Sequence, residues 1–182
     1  EHGTVLAVAP DGTGTFEVTT LREDIETDGR HAQVRFTDDW QQDAARRDFT
    51  YNAISVDREG YLYDYFGGLE DLEAGHTRFV GLASDRIAED RLRILRAYRF
   101  HARFGLRPWD SATARSLAAQ ASGIEELSGE RVRQEMAKIL VGPKVISTLQ
   151  DMSEHGVLEH SVPPALHRFR TDDFGLLERL II

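Results

Sequence analysis

The run of residues 83–104, ASDRIAEDRLRILRAYRFHARF, contains no Gly or Pro before Gly105, and Ile87, Ile94, Leu95 and Tyr98 recur in it at helical spacing. That pattern predicts one long amphipathic helix, with Ser84 and Asp85 as candidate N-caps. At about 100° per residue, Arg86, Glu89, Arg93, Arg96 and Arg103 fall within roughly one third of the circumference, opposite Ile87, Ile94 and Tyr98. One face is built to pack, and the other is a charged rail.

A solvated helix commonly carries mixed charges, and that is the plain reading of such a rail. Here, however, every cation in the run is arginine. Arginine presents a planar five-donor fork suited to phosphate oxygens and base edges, and aspartate offers the complementary acceptors. Asp90 and Arg93, three residues apart, can therefore read the hydrogen-bonding edge of a nucleotide base, while Arg96 a turn further on reaches its phosphates. Across the 182 residues the formal net charge is -9, which excludes a protein that coats nucleic acid by bulk charge. Any RNA contact has to be local. Of the 22 basic residues only Lys138 and Lys144 are lysine, and there is no cysteine, so disulfides and thiolate metal sites are excluded. No run approaches the roughly 18 apolar residues of a membrane span.

Ahead of the helix the chain reads as strands and turns. Residues 4–9 and 15–21 flank a Gly-containing turn at Asp11-Gly12-Thr13-Gly14 and predict a β-hairpin. In its second strand Phe16, Val18 and Thr20 share one face, and Glu17 lies on the other. Glu17 is either a solvent-facing glutamate or a carboxylate held for chemistry on a rigid strand. Residues 22–30 read as a charged loop, and 31–36 as a short strand. Thr37 or Asp38 then caps a helix over 39–47. A strand pair at 54–56 and 61–65 follows, then a short acidic helix at 69–74 after the pair Gly67-Gly68, and a short strand at 77–80. The two glycines form either a plain turn or a hinge. From residue 81 strands disappear and helices are expected at 83–104, 110–121, 128–141 and 143–155, the third capped by Ser128 and the fourth with Pro143 in its first turn. This switch marks the clearest boundary in an α+β chain.

Two further groups of residues stand out. Arg46-Arg47-Asp48-Phe49-Thr50-Tyr51-Asn52-Ala53 places several polar groups around one aromatic residue where a helix should end. The seven histidines, His2, His31, His76, His101, His155, His160 and His167, lack metal-ligand spacing and read as structural or surface residues. Trp40 and Trp109 read as packing residues, as do Tyr98, Phe100 and Phe104. Arg131 and Arg133 face either RNA or solvent.

In order along the chain, Phe16-Glu17-Val18-Thr19-Thr20-Leu21-Arg22, Thr27-Asp28-Gly29-Arg30, the Arg46 to Ala53 block, Asp64-Tyr65-Phe66-Gly67-Gly68, Glu89-Asp90-Arg91-Leu92-Arg93-Ile94-Leu95-Arg96 and Ser128-Gly129-Glu130-Arg131-Val132-Arg133-Gln134-Glu135 closely resemble the class II tRNA nucleotidyltransferase and bacterial poly(A) polymerase family. The resemblance covers residues 2–163. It implies a truncated nucleotidyltransferase head, a mixed β-sheet with helices, followed by an all-helical neck and body. The head's C-terminal part would occupy 1–80, a neck carrying the nucleotide-selecting helix 81–142, and the start of the body 143–182.

The implied activity is addition of CMP and AMP, from CTP and ATP, to the tRNA 3′ end without a nucleic acid template. By the same resemblance, Asp48 would accept a ribose hydroxyl with Arg46, Arg47 and Asn52 nearby. Glu89, Asp90 and Arg93 would act as the template for the base, and Arg96 would contact the triphosphate. The implied cofactor is Mg²⁺, a hard cation bound through carboxylates. Glu17 corresponds to a third acidic group of that site, and the Asp-x-Asp pair that holds the metal is expected upstream of His2.

Asp38-Asp39 and Asp172-Asp173 do not substitute for that pair, because adjacent side chains on a strand point apart. The abrupt start at Glu1 and the apolar run at 176–182 suggest a piece of a longer protein, and this piece is expected to be inactive by itself. Alternatives are a poly(A) polymerase, an enzyme adding only CC or only A, and a non-catalytic RNA-binding scaffold. Poly(A) polymerases of the family usually carry proline where this chain has Arg91, which favours tRNA maturation. The compartment is expected to be cytoplasmic, with mitochondrial as the alternative.

Overall fold

The computed structural model describes residues 3–27 and 32–163, of which 24–27 and 32–34 are described by backbone alone. The first hairpin forms as expected. Strand β1 (Thr4–Val8) pairs antiparallel with β2 (Thr15–Thr19) in the register Val5↔Val18, and Gly12 takes φ 72° in the turn. Both faces are open, with Val5, Leu6, Phe16 and Val18 all exposed.

The stretch read as a charged loop is instead strand β3 (Arg22–Thr27), paired antiparallel with β4 (Ala32–Phe36) around a bulge between Asp24 and Glu26. Charge density misleads here because the ladder satisfies the backbone and Glu23 forms an ion pair with Arg35 directly across it. Strands β5 (Ser55–Val56) and β6 (Leu62–Tyr63) form a third antiparallel pair. The α+β class holds, but the strands described make three separate two-stranded sheets and no mixed sheet. Residues 77–80 contribute a single bridge, Phe49↔Phe79, flanked by Thr50 N–H to Arg78 O at 3.0 Å and Val80 N–H to Asp48 O at 3.0 Å.

Helix α1 (Trp40–Ala45) is capped by Asp39, one residue beyond the candidates, whose carboxylate accepts from the N–H of Gln41 and Gln42. A 3-10 turn (Thr50–Ala53) leads on to α2 (Gly68–Ala74). The Gly67-Gly68 pair has a packing reason. Gly67 takes φ 72°, and a Cβ on Gly68 would lie 2.3 Å from Thr50 O.

The long helix does not form as one rod. It divides into α3 (Ala83–Glu89) and α4 (Leu92–Phe104), with Asp90 extended at φ -152°, ψ 109° between them. Asp90 accepts the Leu92 N–H at 3.1 Å, so a short polar side chain competes with the helical ladder and starts the next helix afresh. Neither Ser84 nor Asp85 caps α3, which begins after Leu82.

Four helices and a 3-10 turn complete the description: α5 (Ser111–Ala119) with Asp110 as cap, the turn Ala121–Glu126, α6 (Gly129–Leu140), α7 (Val145–Glu154) and α8 (Leu158–Ser161). Ser128 occupies the cap position of α6 without a side-chain bond, and Pro143 precedes α7 instead of lying in its first turn.

The packing face read from the sequence is the centre of the molecule. Ile87, Ile94, Leu95 and Tyr98 are essentially inaccessible and meet Leu117, Ile124, Met136, Ile139 and Met152 from the following helices. Each such aliphatic side chain contributes about 1.5–3 kcal/mol by leaving water. Phe49 and Phe79 belong to the same core, which therefore runs across residue 81 and fixes residues 46–50 against α3 and α4.

Candidate functional site

The C-terminus of α1 brings Arg46, Arg47 and Asp48 up against the point where α3 breaks into α4. One turn earlier, buried Asp43 braces both arginines. Its Oδ1 accepts from Arg46 Nε and Nη2 at 2.9 and 2.7 Å, its Oδ2 accepts from Arg47 Nη2 at 2.8 Å, and it also receives the Arg22 backbone N–H at 3.2 Å. Burial alone would push the Asp43 carboxyl up, but hydrogen bonds from Arg47, Arg46 and the Arg22 amide outweigh it and hold it below the usual range. Asp43 was not among the candidates, although its i, i+3 and i, i+4 spacing to Arg46 and Arg47 was legible.

Asp48 is likewise buried. Its Oδ1 accepts the Phe49 N–H at 3.0 Å and Asn52 Nδ2 at 2.9 Å, and its Oδ2 accepts Arg96 Nε at 2.6 Å from α4. Burial again acts upward and is overcome, chiefly by the Arg96 charge and hydrogen bond, so Asp48 is held ionised. Three predicted residues, Asp48, Asn52 and Arg96, thus form one unit.

The carbonyls of residues 46 and 47 point back toward the helix break. Arg86 Nη2 donates to Arg46 O at 2.5 Å and Arg47 O at 2.9 Å, and its Nη1 donates to Glu89 at 2.8 Å. Arg93 Nη1 donates to Glu89 Oε2 at 2.5 Å and to Arg86 O at 2.8 Å. Here the sequence reading needs correction. Asp90 does not stand beside Arg93 on a continuous rod; its Oδ2 pairs with Arg131 Nη2 of α6 at 2.8 Å, and Arg93 pairs with Glu89. The extended backbone at Asp90 turns the carboxylate toward α6.

The structure therefore gathers eight of the nine candidate residues, Arg46, Arg47, Asp48, Asn52, Glu89, Asp90, Arg93 and Arg96, and adds Asp43, Arg86 and Arg131. Six guanidiniums (Arg46, Arg47, Arg86, Arg93, Arg96, Arg131) meet four carboxylates (Asp43, Asp48, Glu89, Asp90) in this network. The local excess is two positive charges, on a chain whose net charge is -9. Such a surface attracts anions locally and offers both donors and acceptors.

Glu17 is the exception. It lies exposed on β2 opposite Leu6 and makes no ion pair among the described residues. Nor does any group of three or more His, Asp or Glu among the described residues lie close enough to hold a metal ion. The residues described do not fit a magnesium site.

Trp109 packs as expected, its ring 4.0 Å from that of His101, while Trp40 stands 55% exposed. His101 Nδ1 lies 3.0 Å from Thr77 Oγ1, and burial, with Lys144 adding to it, lowers its pKa to about 4. Segment 28–31 and residues 164–182, which hold part of the Thr27 to Arg30 motif, Asp172-Asp173 and the terminal apolar run, lie outside the described residues, as do His2, His31 and His167. No helix described is long and apolar enough to cross a membrane.

Comparison with known proteins places the chain beside CCA-adding enzymes. The family model described as "Poly A polymerase head domain" matches residues 1–78, and that described as "Probable RNA and SrmB-binding site of polymerase A" matches 110–169. The mitochondrial CCA tRNA nucleotidyltransferase 1 of Danio rerio is 46% identical over 167 residues, 91% of this chain and 38% of that protein. The crystal structure of the Bacillus stearothermophilus CCA-adding enzyme in complex with CTP superposes with a TM-score of 0.81 at 33% identity, over 96% of this chain and 41% of that one. The Thermotoga maritima CCA-adding enzyme complexed with tRNA superposes with a TM-score of 0.76 at 26% identity, over 99% and 40%. The chain thus spans about two fifths of the length of the relatives it matches.

Proposed function

The chain belongs to the family of tRNA nucleotidyltransferases and poly(A) polymerases, and from that premise we propose that it supplies the nucleotide-selecting part of an enzyme that adds CMP and AMP to the 3′ end of tRNA. The observation that carries this reading is the locally cationic network at the break between α3 and α4, where carboxylates and guanidiniums suited to a base, a ribose and a triphosphate converge. CTP and ATP are the substrates, and the tRNA 3′ end is the acceptor.

Each residue has a distinct part. Asp90 and Arg93 together present one acceptor and one donor to the edge of the incoming base. To do so they exchange their partners Arg131 and Glu89 for the base, so that selection is a competition between ion pairs already satisfied. Asp48, held ionised and aligned by Asn52 and Arg96, accepts a ribose hydroxyl. Arg46 and Arg47 stand beside the ribose, and Arg96 contacts the triphosphate. The acceptor's 3′-hydroxyl oxygen attacks the α-phosphorus; the new P–O bond forms as the α–β phosphoanhydride bond breaks, pyrophosphate leaves with that bond's electron pair, and the hydroxyl proton passes to solvent. Charge balance on the leaving group favours that displacement. Mg²⁺, when bound, would supply positive charge to the phosphate oxygens; Glu17 is the one described residue expected to help hold it, and the described residues do not complete a site for it. We assign the reaction to the cytoplasm, or to mitochondria as for the Danio rerio relative.

The test is binding of CTP, ATP, GTP and UTP to the chain, with Asp90→Ala and Arg93→Ala beside it. Preference for CTP and ATP is expected, lost in both variants while the fold is kept; unchanged selectivity would remove the pair from that role. The whole protein, given tRNA lacking its CCA end, is expected to restore CCA. Activity with ATP alone on unrelated RNA would instead favour poly(A) synthesis, and no turnover the scaffold reading.

A further inference from the structure

Helix α1 ends at Ala45, and the carbonyls of Arg46 and Arg47 have no continuing helix to bond them. Both are taken up by one side chain, 40 residues on from Arg46. Arg86 Nη2 donates to Arg46 O at 2.5 Å and to Arg47 O at 2.9 Å, and its Nη1 donates to Glu89 Oε1 at 2.8 Å. The backbone of the same residue faces the other half of the network, for Arg86 O accepts Arg93 Nη1 at 2.8 Å. Arg86 thus touches both the turn that leads into Asp48 and the arginine in the first turn of α4. Its own place is fixed by α3, whose Ile87 is fully buried in the core, and its side chain is only 12% exposed.

The chemistry of this position is that of a strut. A guanidinium carries five donors in one plane and no acceptor, so it can span two carbonyls and a carboxylate at once. A phosphate would have to strip Arg86 from carbonyls that are otherwise poorly served: Arg46 O also meets Arg93 Nη2, at 3.4 Å. Lysine carries the same charge, but its ammonium is a point charge on a flexible stem and cannot hold the three acceptors in one plane. Glu89 is shared, its Oε2 accepting Arg93 Nη1 at 2.5 Å while Oε1 accepts from Arg86. When Arg93 turns from Glu89 to a base edge, Glu89 keeps the Arg86 charge, and the exchange leaves no half-buried carboxylate unpaired.

Resting on the nucleotide-selecting role proposed above, we infer that Arg86 is a positioning residue for that selection. It fixes the distance between the sugar- and phosphate-binding block, residues 46–52 with Arg96, and the base-reading pair Asp90 and Arg93, without touching the nucleotide itself. A nucleotide whose sugar is seated on Asp48 then presents its base to Arg93 at a set distance, and a base whose edge does not meet the pair there is refused.

The chain and its Arg86→Lys variant are titrated with CTP, with UTP and with ribose 5-triphosphate, which carries the sugar and phosphates of CTP without a base. In the variant CTP is expected to bind about tenfold more weakly and to lose most of its preference over UTP, while ribose 5-triphosphate binds within about twofold of the unsubstituted chain. Equal losses for CTP and ribose 5-triphosphate would reduce Arg86 to general support of the fold. A larger loss for ribose 5-triphosphate would make it a phosphate ligand, and unchanged CTP binding would leave it without a role; each of the three overturns the inference. A second measurement needs no variant: the guanidinium rotation of Arg86 and Arg93 is followed by NMR in the unsubstituted chain, with and without CTP. Arg86 is expected to stay locked in both states while Arg93 changes, and release of Arg86 on CTP binding would overturn the inference whether or not Arg86→Lys folds. An unsubstituted chain that does not prefer CTP to UTP would overturn the nucleotide-selecting role and this inference with it, whereas the other adverse outcomes leave that role standing.

Discussion

Asp43 shows how much a single side chain can govern at the residue scale. It is buried with one half-exposed and one mostly buried arginine, so truncating it leaves two guanidiniums without their acceptor beside a carboxyl-sized hole. Asp43→Ala is expected to lower stability by about 2–4 kcal/mol in denaturant titrations. The more telling variant is Asp43→Asn. It keeps volume while releasing Arg46 and Arg47, and CTP affinity should fall by about tenfold with a smaller loss of stability. His101 gives a pH signature. Its pKa is about 4 in the fold against an ordinary 6.5, so between those values the unfolded chain binds more protons than the folded one. Stability should therefore decline as pH falls from 6.5 toward 4, and His101→Gln should flatten that part of the profile measured by thermal unfolding.

At the scale of elements, the break between α3 and α4 decides what the arginine face can do. A continuous helix would have left Asp90 beside Arg93; the break hands Asp90 to α6 through Arg131 and leaves Arg93 with Glu89. Arg131→Ala removes a partly exposed pair and should cost no more than about 1 kcal/mol of stability. Its effect on nucleotide choice should be larger, because Asp90 loses the competitor that sets its position; a nucleotide panel read beside a melting curve separates the two effects. Apolar periodicity identified α4, α6 and the packing face because burial follows spacing. It could not locate the break, since a polar side chain capping its own successor leaves no mark on the apolar pattern. The β3–β4 hairpin was hidden for the opposite reason, its charges being paired across a ladder that a linear reading does not see. The site residues gathered well because Arg46 to Asn52 and Glu89 to Arg96 are contiguous blocks, whereas Asp43 acts only through its neighbours.

Across the whole molecule, stability is distributed unevenly, and the distribution follows from where the core lies. Phe49 and Phe79 join Ile87, Ile94, Tyr98, Met136 and Met152 in one cluster, so the segment carrying Arg46 to Asn52 cannot leave α4 without opening that core. Strands β1 and β2, by contrast, pair with each other while presenting apolar side chains on an open surface. Local opening free energies track such burial. Amide exchange should therefore be slowest in α4, with the amides of Thr50 and Val80, which bond to Arg78 and Asp48, protected to nearly the same degree. Exchange in β1 and β2 should be faster by about a hundredfold or more, a difference of about 3 kcal/mol or greater in opening free energy. Equal protection in the hairpin and α4 would mean that the molecule opens as a single unit. The expected gradient would mean that Arg46 to Asn52 and Arg93 to Arg96 are carried by the most rigid backbone of the chain, so that their side chains can change partners while their spacing is kept.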